Sequence, residues 1–185
     1  MSRGVILVTG GARSGKSSFA EQLMGKRSPE GALYVATAEA LDDEMKDRIH
    51  QHQLDRERAN YRWDTAEWPV SLPEKIASCT ASAVMIDCLT VWLSNELLAA
   101  EQEPDVLFRL ERRIEELVSA VAAYQGLIVM VTNEVGDGVV PAYKLGRIFR
   151  DAAGRLNQRM AAIAEEVYLV TAGIPIELKS RMVKL

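Results

Sequence analysis

Residues Gly10–Ser17 read Gly-Gly-Ala-Arg-Ser-Gly-Lys-Ser, between the apolar run Val5–Thr9 and a helical stretch from about Lys16 to Met24. A glycine-rich turn of the form G-x4-G-K-S that leaves a buried strand and opens a helix is a phosphate-binding loop for a nucleoside triphosphate. Each residue type has its reason. Glycines let the backbone turn sharply and aim N–H groups at phosphate oxygens, and the helix N-terminus adds a partial positive charge. Lys16 supplies a mobile ammonium for the β and γ phosphates, and Ser17 a hydroxyl for magnesium. The candidate cofactor-binding set is therefore Gly10, Gly11, Ala12, Arg13, Ser14, Gly15, Lys16 and Ser17, with Lys16 also a catalytic candidate. An ordinary glycine-rich turn is the bland alternative, and the flanking strand and helix weigh against it.

The rest of the chain repeats the strand–helix theme. Strands are expected at Leu33–Ala36, Ala83–Asp87, Leu127–Val131 and Val167–Thr171, each a short apolar run. Arg62–Glu67 reads as a short strand or extended segment, and Ile174–Leu178 as a final hairpin strand after Gly173. Helices are expected over Asp42–Glu57, Leu72–Ser78, Leu89–Ala99, Pro104–Tyr124 and Ala142–Ala164. Alternation of this kind implies an α/β fold, a mostly parallel sheet with helices on both faces, and ligands beyond the carboxyl ends of its strands. Thr37, Asp87, Asn133 and Glu134 follow strand ends, so order alone places them on the edge that holds the phosphate loop. At 185 residues and 48% apolar, with no linker or repeat, residues 1–185 are expected to form a single domain.

Asp87 ends an apolar strand, where a carboxylate can hold magnesium with Ser17. It also lies two residues before a helical run, where aspartate is a common N-cap; both readings stand at this point. Cys79 and Cys88 lack zinc-site spacing and read as buried free thiols. A net charge of −4 gives no basic field for nucleic acid. No signal peptide and no apolar run of membrane-spanning length is present, so a cytoplasmic location is expected. The guanine motif of switch GTPases is absent; Thr132-Asn133-Glu134-Val135 is a different pattern. A nucleoside-monophosphate kinase would need arginines at the phosphates, and Arg147, Arg150, Arg155 and Arg159 lie on one helix. A solvated or subunit-facing basic surface explains them as well.

The wider pattern is more specific. Val8–Glu21 (VTGGARSGKSSFAE), Tyr34–Ile49 (YVATAEALDDEMKDRI), Trp63–Glu67, Asp87–Leu97 (DCLTVWLSNEL), Thr132–Pro141 (TNEVGDGVVP) and Leu145–Val170 occur in this order over nearly the whole chain. In this it resembles the bifunctional adenosylcobinamide kinase/adenosylcobinamide-phosphate guanylyltransferase family. The resemblance implies a P-loop NTPase domain with a RecA-like sheet and an antiparallel C-terminal edge strand, assembled as a homotrimer. It implies adenosylcobinamide and adenosylcobinamide phosphate as substrates, and ATP or GTP with Mg2+ for phosphorylation. It also implies GMP transfer from GTP through a histidine. The open alternatives are a small-molecule kinase without nucleotidyl transfer, and a nucleotide-binding regulator.

Only His50 and His52 can be that histidine. Neutral imidazole is a competent nucleophile near pH 7. On a helix, His52 shares the face of Met45 and Ile49, whereas His50 shares the polar face of Lys46 and Asp47. A nucleophile aimed into the cleft under the helix is then His52, and the resemblance also implies His52. From the residues alone, both histidines read equally well as surface or packing groups. The resemblance further implies nucleotide contacts at Ala36, Thr37 and Ala38, at Gln53, Leu54, Asp55 and Arg56, and at Glu67 and Asp87. Glu67 has an alternative as a solvated strand-end carboxylate. Trp63 and Trp92 read as core or interface aromatics.

Overall fold

The computed structural model describes residues 3–39, 46, 54, 56 and 61–183. In chain order the elements are β1 (Gly4–Gly10), α1 (Lys16–Arg27), β2 (Ala32–Ala36), β3 (Trp63–Glu67), α2 (Leu72–Ala77), β4 (Ala83–Asp87), α3 (Leu89–Ala99), α4 (Val106–Ala123), β5 (Leu127–Asn133), α5 (Lys144–Ile163), β6 (Glu166–Thr171) and β7 (Ile174–Glu177). The helix expected over 42–57 lies outside the described residues, apart from Lys46, Leu54 and Arg56, which are helical.

The strands form one sheet in the order β3-β2-β4-β5-β1-β6-β7. All neighbours are parallel except β6 and β7, the antiparallel edge expected from the sequence. Side chains alternate between two apolar layers, as a doubly covered sheet requires. Leu7, Ile86 and Met130 join a core with Leu93, Leu117 and Leu156 of α3, α4 and α5. Val8, Met85 and Val131 face the other way, onto Ala20 and Met24 of α1. Most boundaries shift by one to three residues, and two of the shifts have a visible cause or context. β5 runs past Val131 to Asn133 because Thr132 and Asn133 pair with Thr9 and Gly10 of β1. The helix expected at Pro104 starts at Val106, and Pro104 falls in the turn before it.

One buried cation ties the helical layer together. Arg113 of α4 is 9% exposed. It donates to both Glu74 oxygens on α2 at 2.6 and 3.1 Å, to Glu96 on α3 at 3.0 Å and to Glu116 at 2.7 Å. Hydrogen bonding to Glu74 pushes the Arg113 guanidinium far above its ordinary range and holds the Glu74 carboxyl below its own. Glu74 lies out in solvent, but Glu96 is only 4% exposed, so the energetic weight rests on the Arg113–Glu96 pair. Arg113→Leu strands the Glu96 charge, and removing one partner of a buried pair costs about 3–5 kcal/mol. Thermal denaturation should show a fall of roughly 10 °C, largely restored in the Arg113→Leu/Glu96→Leu double variant. A shift under about 2 °C would place the pair at the solvated surface instead.

Candidate active site

The phosphate loop is shaped by close approaches. A side chain at Gly10 would put its Cβ 2.4 Å from the Val170 carbonyl oxygen and 2.7 Å from Ser14 Oγ. Gly15, the residue before α1, has φ +91° and packs on Gly173, whose Cα would lie 3.3 Å from an added Cβ. Gly173 N also donates to Ser14 O at 2.8 Å. The β6–β7 turn therefore buttresses the loop. Lys16 is 8% exposed and donates from Nζ to Gly11 O at 3.2 Å, across the loop it serves. The first turn of α1 carries no acid, so the positive end of the helix is not neutralised. Among the described residues Ser14 Oγ is buried with no hydrogen-bond partner, an orphan polar group of the kind that a bound ligand or water satisfies.

Asp87 sits two strands from β1, opposite Ala36 in the β2–β4 register. The residue capping α3 is Cys88, so Asp87 does not serve as the N-cap. Tyr34 Oη donates to Asp87 Oδ2 at 3.1 Å. It can reach because Ala36, between them on the same face, is small. Burial and then the Asp87 charge push the Tyr34 phenol far above its ordinary value, so it remains a donor. The Arg56 guanidinium lies 3.7 Å over the Tyr34 ring. Burial and then the Asp87 charge push the Cys88 thiol up, while hydrogen bonding with Thr90 pulls it down. Cys88 is buried as expected, whereas Cys79 is half-buried. The fully buried Thr37 hydroxyl bonds both polar backbone atoms of Cys88, accepting from N at 2.9 Å and donating to O at 2.8 Å. Asn95 Nδ2 donates to Thr37 O and Pro69 O. Thr37 is thus committed to holding β2 against the start of α3.

Beside the loop, Asn133 Nδ2 donates to Thr90 Oγ1 at 2.8 Å, and Glu134 N donates to Gly10 O at 3.1 Å. Glu134 Oε1 accepts from Gly136 N at 2.8 Å. These residues line a cleft of about 450 Å3 that starts at Ala12 of the loop and runs along α3 to Leu98.

The structure brings Gly10–Ser17, Ala36, Thr37, Ala38 and Asp87 to the carboxyl edge of the sheet. Glu67 is on the same edge, but four strands from β1, about 19 Å away at the usual strand spacing. Such a separation suits contact with a base rather than with phosphates. His50, His52, Gln53 and Asp55 lie outside the described residues. Arg155 and Arg159 pair with Glu111, Arg159 also with Glu115, and Arg147 bonds the carbonyls of Pro141 and Ala142. Trp92 is fully buried, and Trp63 packs edge-on against Tyr34 and Tyr61. Tyr34, Asn95 and the Gly173 turn are site-building residues that sequence reasoning passes over. The only signal is a phenol inside an otherwise apolar strand.

A family model described as cobinamide kinase / cobinamide phosphate guanyltransferase matches residues 6–178. The "bifunctional adenosylcobalamin biosynthesis protein CobU" of Salmonella typhimurium is 45% identical over 95% of this chain and 99% of its own length. Its namesake in Escherichia coli is 41% identical over the same shares. The CobP protein of that description from Pseudomonas aeruginosa is 40% identical over 94% of this chain and 96% of its own. The backbone also resembles the flagellar accessory protein FlaH of Methanocaldococcus jannaschii, with a TM-score of 0.46 and 12% identity over 93% of this chain and 74% of that one; no function follows from likeness at that level.

Proposed function

This chain belongs to the cobinamide kinase / cobinamide phosphate guanyltransferase family, and from that membership we propose how one phosphate loop serves two reactions. The enzyme phosphorylates cobinamide and transfers a guanylyl group to the cobinamide phosphate, in adenosylcobalamin biosynthesis. The observation that carries the residue-level reading is the phosphate loop with buried Lys16 reaching back across it to Gly11 O, and the cleft that opens beside it at Ala12.

In the first reaction an alcohol oxygen of adenosylcobinamide attacks the γ-phosphorus of ATP or GTP, and the nucleoside diphosphate leaves. Backbone N–H groups of Gly11–Gly15, the α1 N-terminus and Lys16 hold the phosphates and take up charge that builds on the leaving oxygens. In the second, a ring nitrogen of His52 attacks the α-phosphorus of GTP and pyrophosphate leaves. The phosphate of adenosylcobinamide phosphate then attacks the same phosphorus and breaks the P–N bond, giving adenosylcobinamide-GDP. Leu54, Arg56 and Glu67, with Gln53 and Asp55, complete the guanosine side.

Mg2+ fits the donor set. Ser17 and Asp87 are hard oxygen ligands, and no group of three or more His, Cys, Asp or Glu gathers among the described residues. Two protein oxygens suit an ion that keeps water and phosphate ligands of its own. Bound there, it would supply charge neutralisation between phosphates. Tyr34 holds one Asp87 oxygen and leaves the other for this role. Among the described residues no helix is long and apolar enough to cross a membrane. The proposal includes a cytoplasmic homotrimer with no nucleic-acid partner, in keeping with the net charge of −4.

GTP labelled separately at the α and γ positions tests this reading. The γ label should pass to adenosylcobinamide, and the α label should become protein-bound until adenosylcobinamide phosphate is added. Protein that takes up no α label would remove the covalent route.

A further inference from the structure

The cleft beside the phosphate loop has walls of unusual charge for an enzyme that handles phosphates. Val91, Leu98, Val135 and Phe149 supply apolar surface, and Ser94 and Asn95 supply hydroxyl and amide groups. Among the described residues that line it, the charged ones are carboxylates, Glu39 and Glu134, with no lysine or arginine. Such walls welcome an uncharged, partly apolar group and repel a phosphate ester. We propose that this cleft seats the alcohol acceptor of the phosphoryl-transfer step, and that Glu134 is the general base that takes the alcohol's proton. The proposal rests on the kinase reading above and adds to it the acceptor's position and a catalytic residue.

Placement singles out Glu134. It is the first residue past β5, and its N–H bonds the carbonyl of Gly10, the first residue of the phosphate loop. Ala12 of that loop lines the same cleft. An alcohol entering along α3 therefore meets Glu134 where the γ-phosphate is to be held. The half-buried carboxylate pairs with no cation among the described residues. The hydrogen bond from Gly136 N to Oε1 at 2.8 Å fixes its direction, and among the described residues Oε2 has no partner. The other carboxylates on this edge are differently engaged. Asp87 is held by Tyr34, and Glu67 on β3 is three strands from β5, about 14 Å away. Glu39 is exposed to solvent at the cleft mouth.

The step balances simply. The alcohol O–H gives its proton to Glu134 as its oxygen bonds to the γ-phosphorus. The bond from that phosphorus to the β,γ-bridging oxygen breaks, and the nucleoside diphosphate carries off the electron pair. Glu134 then returns the proton to solvent. The new phosphate ester faces two carboxylates and is driven out, so the same walls admit substrate and expel product.

Glu134→Gln tests the base and spares the fold, because a glutamine oxygen can still accept from Gly136 N. With adenosylcobinamide and γ-labelled GTP, kcat should fall on the order of a hundredfold while KM for adenosylcobinamide changes little. Covalent labelling from α-labelled GTP should persist, since imidazole needs no such base. Ser94→Trp, which fills the cleft, should raise KM for adenosylcobinamide about tenfold or more and leave that labelling intact. A Glu134→Gln kinase rate within a few-fold of the parent's would overturn the proposal. So would loss of both activities together, or a large loss in Glu39→Gln in place of Glu134→Gln. Absence of both activities from the parent enzyme would instead count against the function on which the proposal rests.

Discussion

Lys16→Ala should abolish phosphorylation of adenosylcobinamide and covalent guanylylation together, each by about a thousandfold or more. Among the described residues the Lys16 ammonium makes a single hydrogen bond, to Gly11 O, and an ammonium carries three N–H donors, so it has capacity for phosphate. In a site largely closed to water, a positive charge aimed at developing negative charge is worth far more than in solution. Both reactions build charge on phosphate oxygens, one at the γ and one at the α phosphorus. A single loop must answer both. The fold should survive, because Lys16 opens α1 at the edge of the sheet and alanine is a good helix former, and circular dichroism with thermal melting would show it. If labelling from α-labelled GTP persists at the parent level while the kinase step is lost, each reaction has its own triphosphate site.

His52→Asn should divide what Lys16→Ala removes together. Transfer to a bound hydroxyl needs positioning and charge neutralisation but no protein nucleophile, whereas transfer through a phosphoramidate does. The variant should take no covalent label from α-labelled GTP yet still phosphorylate adenosylcobinamide. His50→Asn should label normally, because on the helix expected from the sequence position 50 falls a quarter-turn or more from the face of positions 45 and 49. The parent's label should be acid-labile and alkali-stable, as a phosphorus–imidazole bond is. Mass spectrometry that finds GMP on His50 or on a lysine would move the nucleophile and rotate the helix assumed for it. Arg56, four residues after His52, is buried against Tyr34, which in turn holds Asp87. Through these contacts Arg56 is anchored to the edge where magnesium is proposed.

Residues 4–27 are legible in the sequence because their pattern is local: an apolar run, glycines at fixed offsets, a lysine and a serine on the first helical turn. The strand order is not. No one-dimensional pattern says that β5 inserts between β1 and β4, and that insertion is what delivers Glu134 to the phosphate loop. Asp87 is ambiguous in sequence because helix capping and metal binding favour the same residue type at the same place. The structure puts the N-cap of α3 at Cys88, which removes the capping reading; the metal role is the one proposed above. The Tyr34 contact depends on register and on the small size of Ala36 across from Asp87, so spacing cannot reveal it. Likewise Glu96 reads as a lone acid in an apolar helix until α2 and α4 bring Glu74 and Arg113 beside it. Helical period separates His50 from His52, but only where the helix and its buried face are already assumed.

The phosphate loop's dependence on the β6–β7 turn has a consequence during synthesis. Of the strands in the sheet, the one that carries the loop is synthesised first. Its two sheet neighbours, β5 and β6, come more than a hundred residues later, and the Gly173 amide that braces Ser14 later still. Contacts so distant along the chain form late. A nascent chain halted before residue 173 would hold every residue of the triphosphate motif and yet lack the backbone that shapes it. Nucleotide capture on a stalled ribosome would therefore switch on only after that turn has cleared the exit tunnel, which makes triphosphate binding a timer for the completion of this fold.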